Sequence, residues 1–292
     1  MSKPTILLTG ATGFLGSKIM ESLLNQNYPV VFLKRPSSDL WRLKHLIKYA
    51  KSYNIDINSL KQAFIDQHID TVIHTAVQYD RNGPQSQRIA ESNLMFALKI
   101  LDNCLKFKTK IFFNIDTMQQ KNLNDYSLSK KQFVEWLKLK STQIQIVNLK
   151  IDMMYGPKDN TSKLIPWVIS ELKKNVPNIK LTKGNQKRDF IYIDDVVTAC
   201  MTILKKVPFS ENFNQFDVGS GQSIKVKTFL ELLKKIYESN IGTVKTKLDF
   251  GALPYKEREK MTTEVNNNAI IKLGWSPKID LKTGLKNILE SK

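Results

Sequence analysis

Residues 5–20 restrict the possible folds of this chain more than any other stretch. An apolar run, Ile6-Leu7-Leu8-Thr9, leads into Gly10-Ala11-Thr12-Gly13-Phe14-Leu15-Gly16, and an apolar helical pattern follows at once. A strand, a tight turn with three glycines and a helix in immediate succession make a dinucleotide-binding unit. Gly10 lets the chain turn sharply off the strand, Gly13 lets backbone approach a pyrophosphate, and Gly16 lets the helix pack close to the strand. The N–H groups that open the helix then face an anion. Gly10, Thr12, Gly13, Phe14, Leu15 and Gly16 are the first candidate cofactor contacts.

Strand and helix patterns alternate through the first half of the chain. Strands are predicted at 6–8, 30–33, 54–57, 71–76, 110–114 and 145–149. Helices are predicted at 17–25, 39–54, 58–68, 88–106 and 127–140. This alternation implies a parallel sheet covered on both faces. After Tyr155-Gly156-Pro157 the rhythm changes and the chain becomes richer in helix. The expected fold is α/β, a Rossmann-type doubly wound sheet with a smaller, interleaved C-terminal α/β lobe. Residues 1–157, with 188–220 returning, are assigned to the dinucleotide-binding domain, and 158–187 with 221–292 to a substrate-binding lobe.

The net charge of +18 over 292 residues raises the question of nucleic acid. The lysines are scattered over polar helix faces and loops, with no basic stripe interleaved with aromatics, so neither nucleic acid nor a membrane is an expected partner. Such a field would still steer an anionic substrate. The first apolar run reads as a strand rather than a leader, and no stretch has the length of a membrane span. Cys104 and Cys200 lie in helical patterns without metal spacing. A cytoplasmic protein with reduced thiols and no metal is the expectation.

The end of the second strand selects the dinucleotide. An acid there binds the ribose 2′-hydroxyl of NAD, and a basic residue accommodates the 2′-phosphate of NADP. Here the strand runs into Lys34, Arg35 and Ser37, with no acid before Asp39. A guanidinium fork and a hydroxyl suit a phosphate monoester, so NADP is expected ahead of NAD. Asp56 and Ile57 are assigned to the adenine edge, and Thr75, Ala76 and Val77 to the diphosphate side.

Downstream, Tyr126-Ser127-Leu128-Ser129-Lys130 opens a helical pattern. Residues four apart share a helix face, so Lys130 would hold its charge near the phenol and lower its pKa. Tyr126 would then exchange a proton with a carbonyl oxygen as hydride moves at carbon. His74, inside an apolar strand, reads as a buried, hydrogen-bonded histidine.

With these residues the chain resembles the extended short-chain dehydrogenase/reductases that modify nucleotide sugars. The resemblance is carried by Thr9–Gly16, His74-Thr75-Ala76, Asn93, Tyr126 with Lys130, and Tyr155-Gly156-Pro157. It continues through Arg188–Asp195, Gly219-Ser220-Gly221 and Leu273-Gly274-Trp275 with Pro277. Within that family the chain is most similar to 4-ketoreductases of the CDP-paratose and CDP-abequose synthase type. The resemblance implies NADPH-dependent reduction of a 4-keto group on a nucleotide-linked deoxysugar in surface-polysaccharide synthesis, with CDP favoured. It makes Thr117 the hydroxyl partner of Tyr126 and Lys130, although alignment with dehydratases would set Ile115 there. It adds Asn93 to the cofactor contacts and as a relay toward Lys130. Arg188 and Arg258 are implied as substrate diphosphate ligands, and Tyr79, Arg81 and Met153 as neighbours of the sugar. Met118 and Gln119 after Thr117 supply no acid or base for dehydration, and Asp116 is expected to hold the loop through backbone hydrogen bonds. A homodimer through the two long helices is implied, with Phe133, Val134 and Leu137 as its anchors or as core. A nucleotide-sugar epimerase is the alternative, and a non-catalytic NADP sensor a more distant one.

Overall fold

A computed structural model describes residues 3–55, 60–79 and 85–291. Its strands are β1 (Ile6–Thr9), β2 (Val30–Lys34), β3 (Lys51–Asn54), β4 (Thr71–His74), β5 (Ile111–Thr117) and β6 (Gln145–Ile151). They continue as β7 (Met153–Tyr155), β8 (Asn178–Leu181), β9 (Lys187–Tyr192), β10 (Phe213–Val218), β11 (Ser223–Lys225) and β12 (Lys247–Phe250). The helices are α1 (Phe14–Asn25), α2 (Lys61–Asp66), α3 (Ser86–Ala90), α4 (Phe96–Lys106) and α5 (Asp125–Lys140). Then come α6 (Leu164–Lys173), α7 (Ile193–Leu204), α8 (Val226–Asn240), α9 (Asn268–Ile271) and α10 (Leu281–Glu290). No helix among the described residues is long and apolar enough to cross a membrane.

The chain divides into two units, Met1–Ile151 with Cys200–Phe216, and Asp152–Ala199 with Asp217–Lys292. The first holds the expected Rossmann sheet, in the order β3-β2-β1-β4-β5-β6-β10. The pairs from β3 through to β6 are parallel. Strands β1, β2 and β4 are almost wholly buried because helices cover both faces, and they are apolar to match. The strand order reverses between β1 and β4, and the carboxyl edge there is where such sheets bind ligands. In register, Thr9 pairs with His74 and His74 with Asn114, so β5 runs three residues further and ends at Thr117.

Three predicted elements differ. The helix expected at 39–54 is instead a series of turns, one 3₁₀ turn at Ile47–Tyr49, and β3. Leu43 and Leu46 still bury themselves, but Lys51–Asn54 pairs with Val31–Lys34. The ladder satisfies backbone groups that β2 would otherwise leave unpaired at the sheet edge. The third strand thus precedes its predicted position, and residues 56 and 57 lie outside the described residues. The long helix expected at 88–106 is α3 and α4 joined through one wide π turn, Glu91–Met95.

The second unit has a three-stranded sheet, β11-β9-β7, and a parallel pair, β12-β8. An aromatic cluster lies within it: Phe190 stacks on Phe229 at 3.8 Å, and Tyr155 meets Phe229 at 5.8 Å and Tyr192 at 5.6 Å. Both cysteines are buried and free.

Candidate active site

The glycine loop is shaped by close approach. Gly10 adopts φ +71°, a backbone region that disfavours any side chain. A Cβ on Gly16 would sit 2.1 Å from the Gly10 carbonyl oxygen, so only glycine lets α1 lie this close to the turn. The loops after β1 and β4 are tied together: Thr75 Oγ1 donates to the Thr9 carbonyl at 2.8 Å, and Thr9 Oγ1 bonds His74 Nδ1 at 2.8 Å. His74 is buried among Phe96, Phe112 and Phe133. Burial, then the charge of Lys130, pushes its pKa down to about 3, so it is neutral and structural.

The loop fits a dinucleotide. Gly13 caps α1 in extended conformation without a side-chain hydrogen bond, and the first turn holds no acidic residue. The positive end of this helix is therefore not neutralised locally. A Cβ on Gly13 would meet only the Gly10 carbonyl oxygen, at 3.1 Å, so the space over the loop is open to a diphosphate. Lys34 ends β2 half-buried, and Arg35 and Ser37 follow exposed in a turn closed by Ser38. Arg42 was not marked by any motif. Its guanidinium lies 3.4 Å from the Thr12 carbonyl oxygen and 4.2 Å from the Trp41 ring centroid, bringing a further cation to the loop. Asp56, Ile57 and Arg81, expected to contact cofactor and substrate, lie outside the described residues.

Tyr126 and Lys130 stand in the first turns of α5. Asn124 caps that helix reciprocally: its Oδ1 accepts from Ser127 N–H at 2.8 Å, and its own N–H donates to Ser127 Oγ at 3.2 Å. The cap fixes where the helix starts and so where Tyr126 points. The side chains of Thr117 and Tyr79 lie close enough to the phenol to act on its proton affinity. Its ring stacks on Tyr79, centroids 4.8 Å apart. The structure thus brings Thr117, Tyr126 and Tyr79 together, with Lys130 one helical turn along, buried and 3.4 Å from Asn114 Oδ1. Asn114 in turn donates to Asn148 at 2.7 Å.

Proton affinities here differ from the sequence expectation. Burial first, then Tyr79 and Asp116, hold the Tyr126 phenol well above its ordinary pKa, and only the Thr117 hydrogen bond opposes them. Burial also lowers Lys130 to about 8, with Asp116 acting against that shift and Lys131 adding to it. Burial thus raises the phenol, where the four-residue spacing to Lys130 led to the expectation of a lowered one. Asp116 is not a loop-holding backbone acceptor but the partner of Lys131, at 2.7 Å.

Asn93 is buried at the wide turn. It accepts from Gln78 N–H at 2.7 Å and donates to the Gln78 carbonyl at 2.9 Å and to Ser129 Oγ at 3.1 Å. It fixes the segment leading to Tyr79 instead of reaching Lys130. Val77 precedes that clamp. Phe133 and Leu137 are core, as is Val134, while Trp136 and Leu139 of the same helix are exposed.

In the second unit Met153 is half-buried on β7. Arg188, on β9, is ion-paired with Glu259 and donates to the Lys187 carbonyl at 2.8 Å. Arg258 is exposed, with φ +61°, and lies 3.9 Å from Glu257. Two carboxylates of the 188–195 motif brace loops: Asp189 accepts from Ser220 and Gly221 N–H, and Asp195 from Lys278 and Ile279 N–H.

Residues 6–219 match the NAD dependent epimerase/dehydratase family. The chain belongs to that family. It is 32% identical to a CDP-abequose synthase of Salmonella muenchen, over 98% of this chain and 97% of the relative. The fold matches the UDP-glucose 4-epimerase of Thermotoga maritima with TM-score 0.84, at 22% identity, covering 98% of this chain and 97% of that one. It also matches the UDP-glucuronic acid 4-epimerase of Bacillus cereus, solved with UDP-glucuronic acid and NAD, with TM-score 0.83 at 23% identity, covering 97% of each chain. The family and the Rossmann fold expected from the motifs are those found, and the chain is an enzyme of the NAD(P)-dependent oxidoreductase type.

Proposed function

We propose that this protein modifies a nucleotide-linked sugar by reducing the 4-keto group of a deoxyhexose, with NADPH as reductant and CDP as the nucleotide. The observation that carries this reading is the Tyr126 phenol, held protonated against the Thr117 hydroxyl. A protonated phenol is a donor, and ketone reduction needs a proton delivered to oxygen. The CDP-abequose synthase relatives support the substrate class.

NADPH, when bound, supplies hydride to the carbonyl carbon. Thr117 hydrogen-bonds the carbonyl oxygen and fixes it beside Tyr126, and Tyr126 gives that oxygen its proton. Lys130 as an ammonium offsets the negative charge left on the phenol. The amide end of α1 holds the cofactor diphosphate, and Lys34, Arg35, Ser37 and Arg42 the 2′-phosphate and adenosine side. Arg188 and Arg258 are assigned to the sugar nucleotide's diphosphate, and Tyr79 and Met153 to the sugar. Met118 and Gln119 leave no acid–base pair for water elimination. The reading takes the working protein to be a cytoplasmic homodimer, and the exposed Trp136 and Leu139 of α5 support the dimer.

The test is loss of reduced-nicotinamide absorbance with CDP-4-keto-3,6-dideoxyglucose, NADPH and then NADH. Tyr126→Phe should lose a factor of about 10²–10⁴, the usual weight of a positioned proton donor. No oxidation of either cofactor by folded protein overturns the reading. NAD retained through purification would then point to a 4-epimerase.

A further inference from the structure

Two strand positions face two helix positions behind the Tyr126 site. Asn114 and Asp116 alternate on β5 and so share one face of the sheet. Lys130 and Lys131 are consecutive on α5. They pair in order, Lys130 Nζ with Asn114 Oδ1 at 3.4 Å and Lys131 Nζ with Asp116 Oδ2 at 2.7 Å. Lys131 also donates to the Thr117 carbonyl, so it fastens the end of β5 to α5. Asn148, from β6, donates to Asp116 Oδ2 at 3.4 Å. The Asp116 side chain is only 1% exposed, and its Oδ1 has no hydrogen-bond partner among the described residues. A carboxylate this dry and incompletely bonded acts on every charge near it, because little water screens it.

We propose that Asp116 and Lys131 are a positioning pair for the catalytic residues: the carboxylate holds Lys130 as an ammonium, while Lys131 moderates that charge and fixes Thr117. The inference rests on the ketoreductase reading for its use of Lys130 and Thr117. Neither Asp116 nor Lys131 touches the reacting atoms. The titratable or charged groups around Lys130 are Tyr126 and Lys131 on α5, Asp116 on β5 and His74 on β4. Tyr79 follows β4, and Lys150 on β6 is the register partner of Asp116. Among these Asp116 is the one carboxylic acid, ion-paired with Lys131. Asp116 and Lys131 act on Lys130 in opposite directions.

The opposition separates charge tuning from simple bracing. If the pair only braced the junction, losing either partner would admit water and raise Lys130 toward its ordinary pKa. The experiment follows the Lys130 ¹³Cε resonance of the full chain between about pH 6 and about pH 10, a window around its shifted pKa, assigned by difference from Lys130→Arg. Asp116→Asn should lower the midpoint by about one unit, Lys131→Met should raise it, and Lys131→Arg should restore the wild-type value. An unchanged or raised midpoint in Asp116→Asn overturns the proposal. Should that variant not fold, Lys131→Glu decides: it removes the brace as Lys131→Met does but adds a negative charge, so the Lys130 midpoint should rise above that of Lys131→Met, and a midpoint no higher than in Lys131→Met overturns the proposal. The titration needs neither substrate nor cofactor. Its failure is therefore distinct from failure of the ketoreductase reading, which the NADPH assay reports.

Discussion

Asn93 gives the sharpest stability prediction. Its side chain is 1% exposed and holds both backbone groups of Gln78, at 2.7 and 2.9 Å. In Asn93→Ala the Gln78 N–H and carbonyl lose their partners together. Ser129 loses only an incoming donor and keeps its own bond to the Tyr126 carbonyl at 2.9 Å, so it adds little. Each orphaned backbone group costs about 1 kcal/mol where water replaces the amide, and up to about 3 where it does not. Gln78 is half-buried, so water reaches it in part, which favours the lower half of a range of about 2 to 6 kcal/mol for the two groups, about 3 kcal/mol in all. With a urea slope of about 3 kcal/mol per molar, the midpoint should fall by about 1 M at unchanged slope. Hydrogen exchange at the Gln78 amide should accelerate with it, since that N–H is what the side chain protects. Because the clamp leads directly to Tyr79, which stacks on Tyr126, turnover should fall as well. A loss below about 1 kcal/mol with Gln78 protection intact would refute the account, because it would mean the clamp bears no weight.

Lys130 predicts a pH dependence of stability. Its folded pKa, about 8, lies below its ordinary value of 10.5, so the unfolded chain binds more protons between them. Stability from this group should rise with pH across that window, by at most about 1.4 kcal/mol per unit, and be lost as pH falls through 8. Lys130→Met should flatten the slope, as read by urea midpoints across the window. Arg35→Ala should weaken NADPH binding by about 10- to 100-fold while leaving NADH nearly unchanged, measured by fluorescence titration, because it removes one charge-assisted phosphate contact. Glu259→Gln should tighten binding of a nucleoside diphosphate in calorimetry, since the Arg188 fork would no longer be shared with a carboxylate.

The readable parts of the chain were those where one residue type is forced by geometry. Gly10 and Gly16 are such positions, because no side chain fits there, and so they announced the loop. The start of α5 was readable through Tyr126 and Lys130, which share a face only on a helix. Lys51–Asn54 was not readable: an edge strand of mixed polarity follows a leucine spacing that suits a helix, and the vacant edge of β2 decides the outcome. The pairing of Asp116 with Lys131 joins residues fifteen apart, and no local pattern marks it. The proton affinity of Tyr126 was misjudged because four-residue spacing reports proximity but not dryness. Arg42 escaped because its meaning lies in reaching Thr12, thirty residues earlier.

The wide turn at Glu91–Met95 acts as a phase shifter. On its far side Ala97, Ile100, Leu101 and Cys104 set which face of α4 looks inward, and on its near side Ile89 does so for α3. One surplus residue lets both stretches keep their own angle about a common axis. Deleting a single residue there would give a more regular helix and a worse protein: everything upstream would rotate by about 100° relative to α4. Asn93 would then swing away from Gln78. The irregularity is therefore an alignment device, and smoothing it would misaim the loop that carries Tyr79.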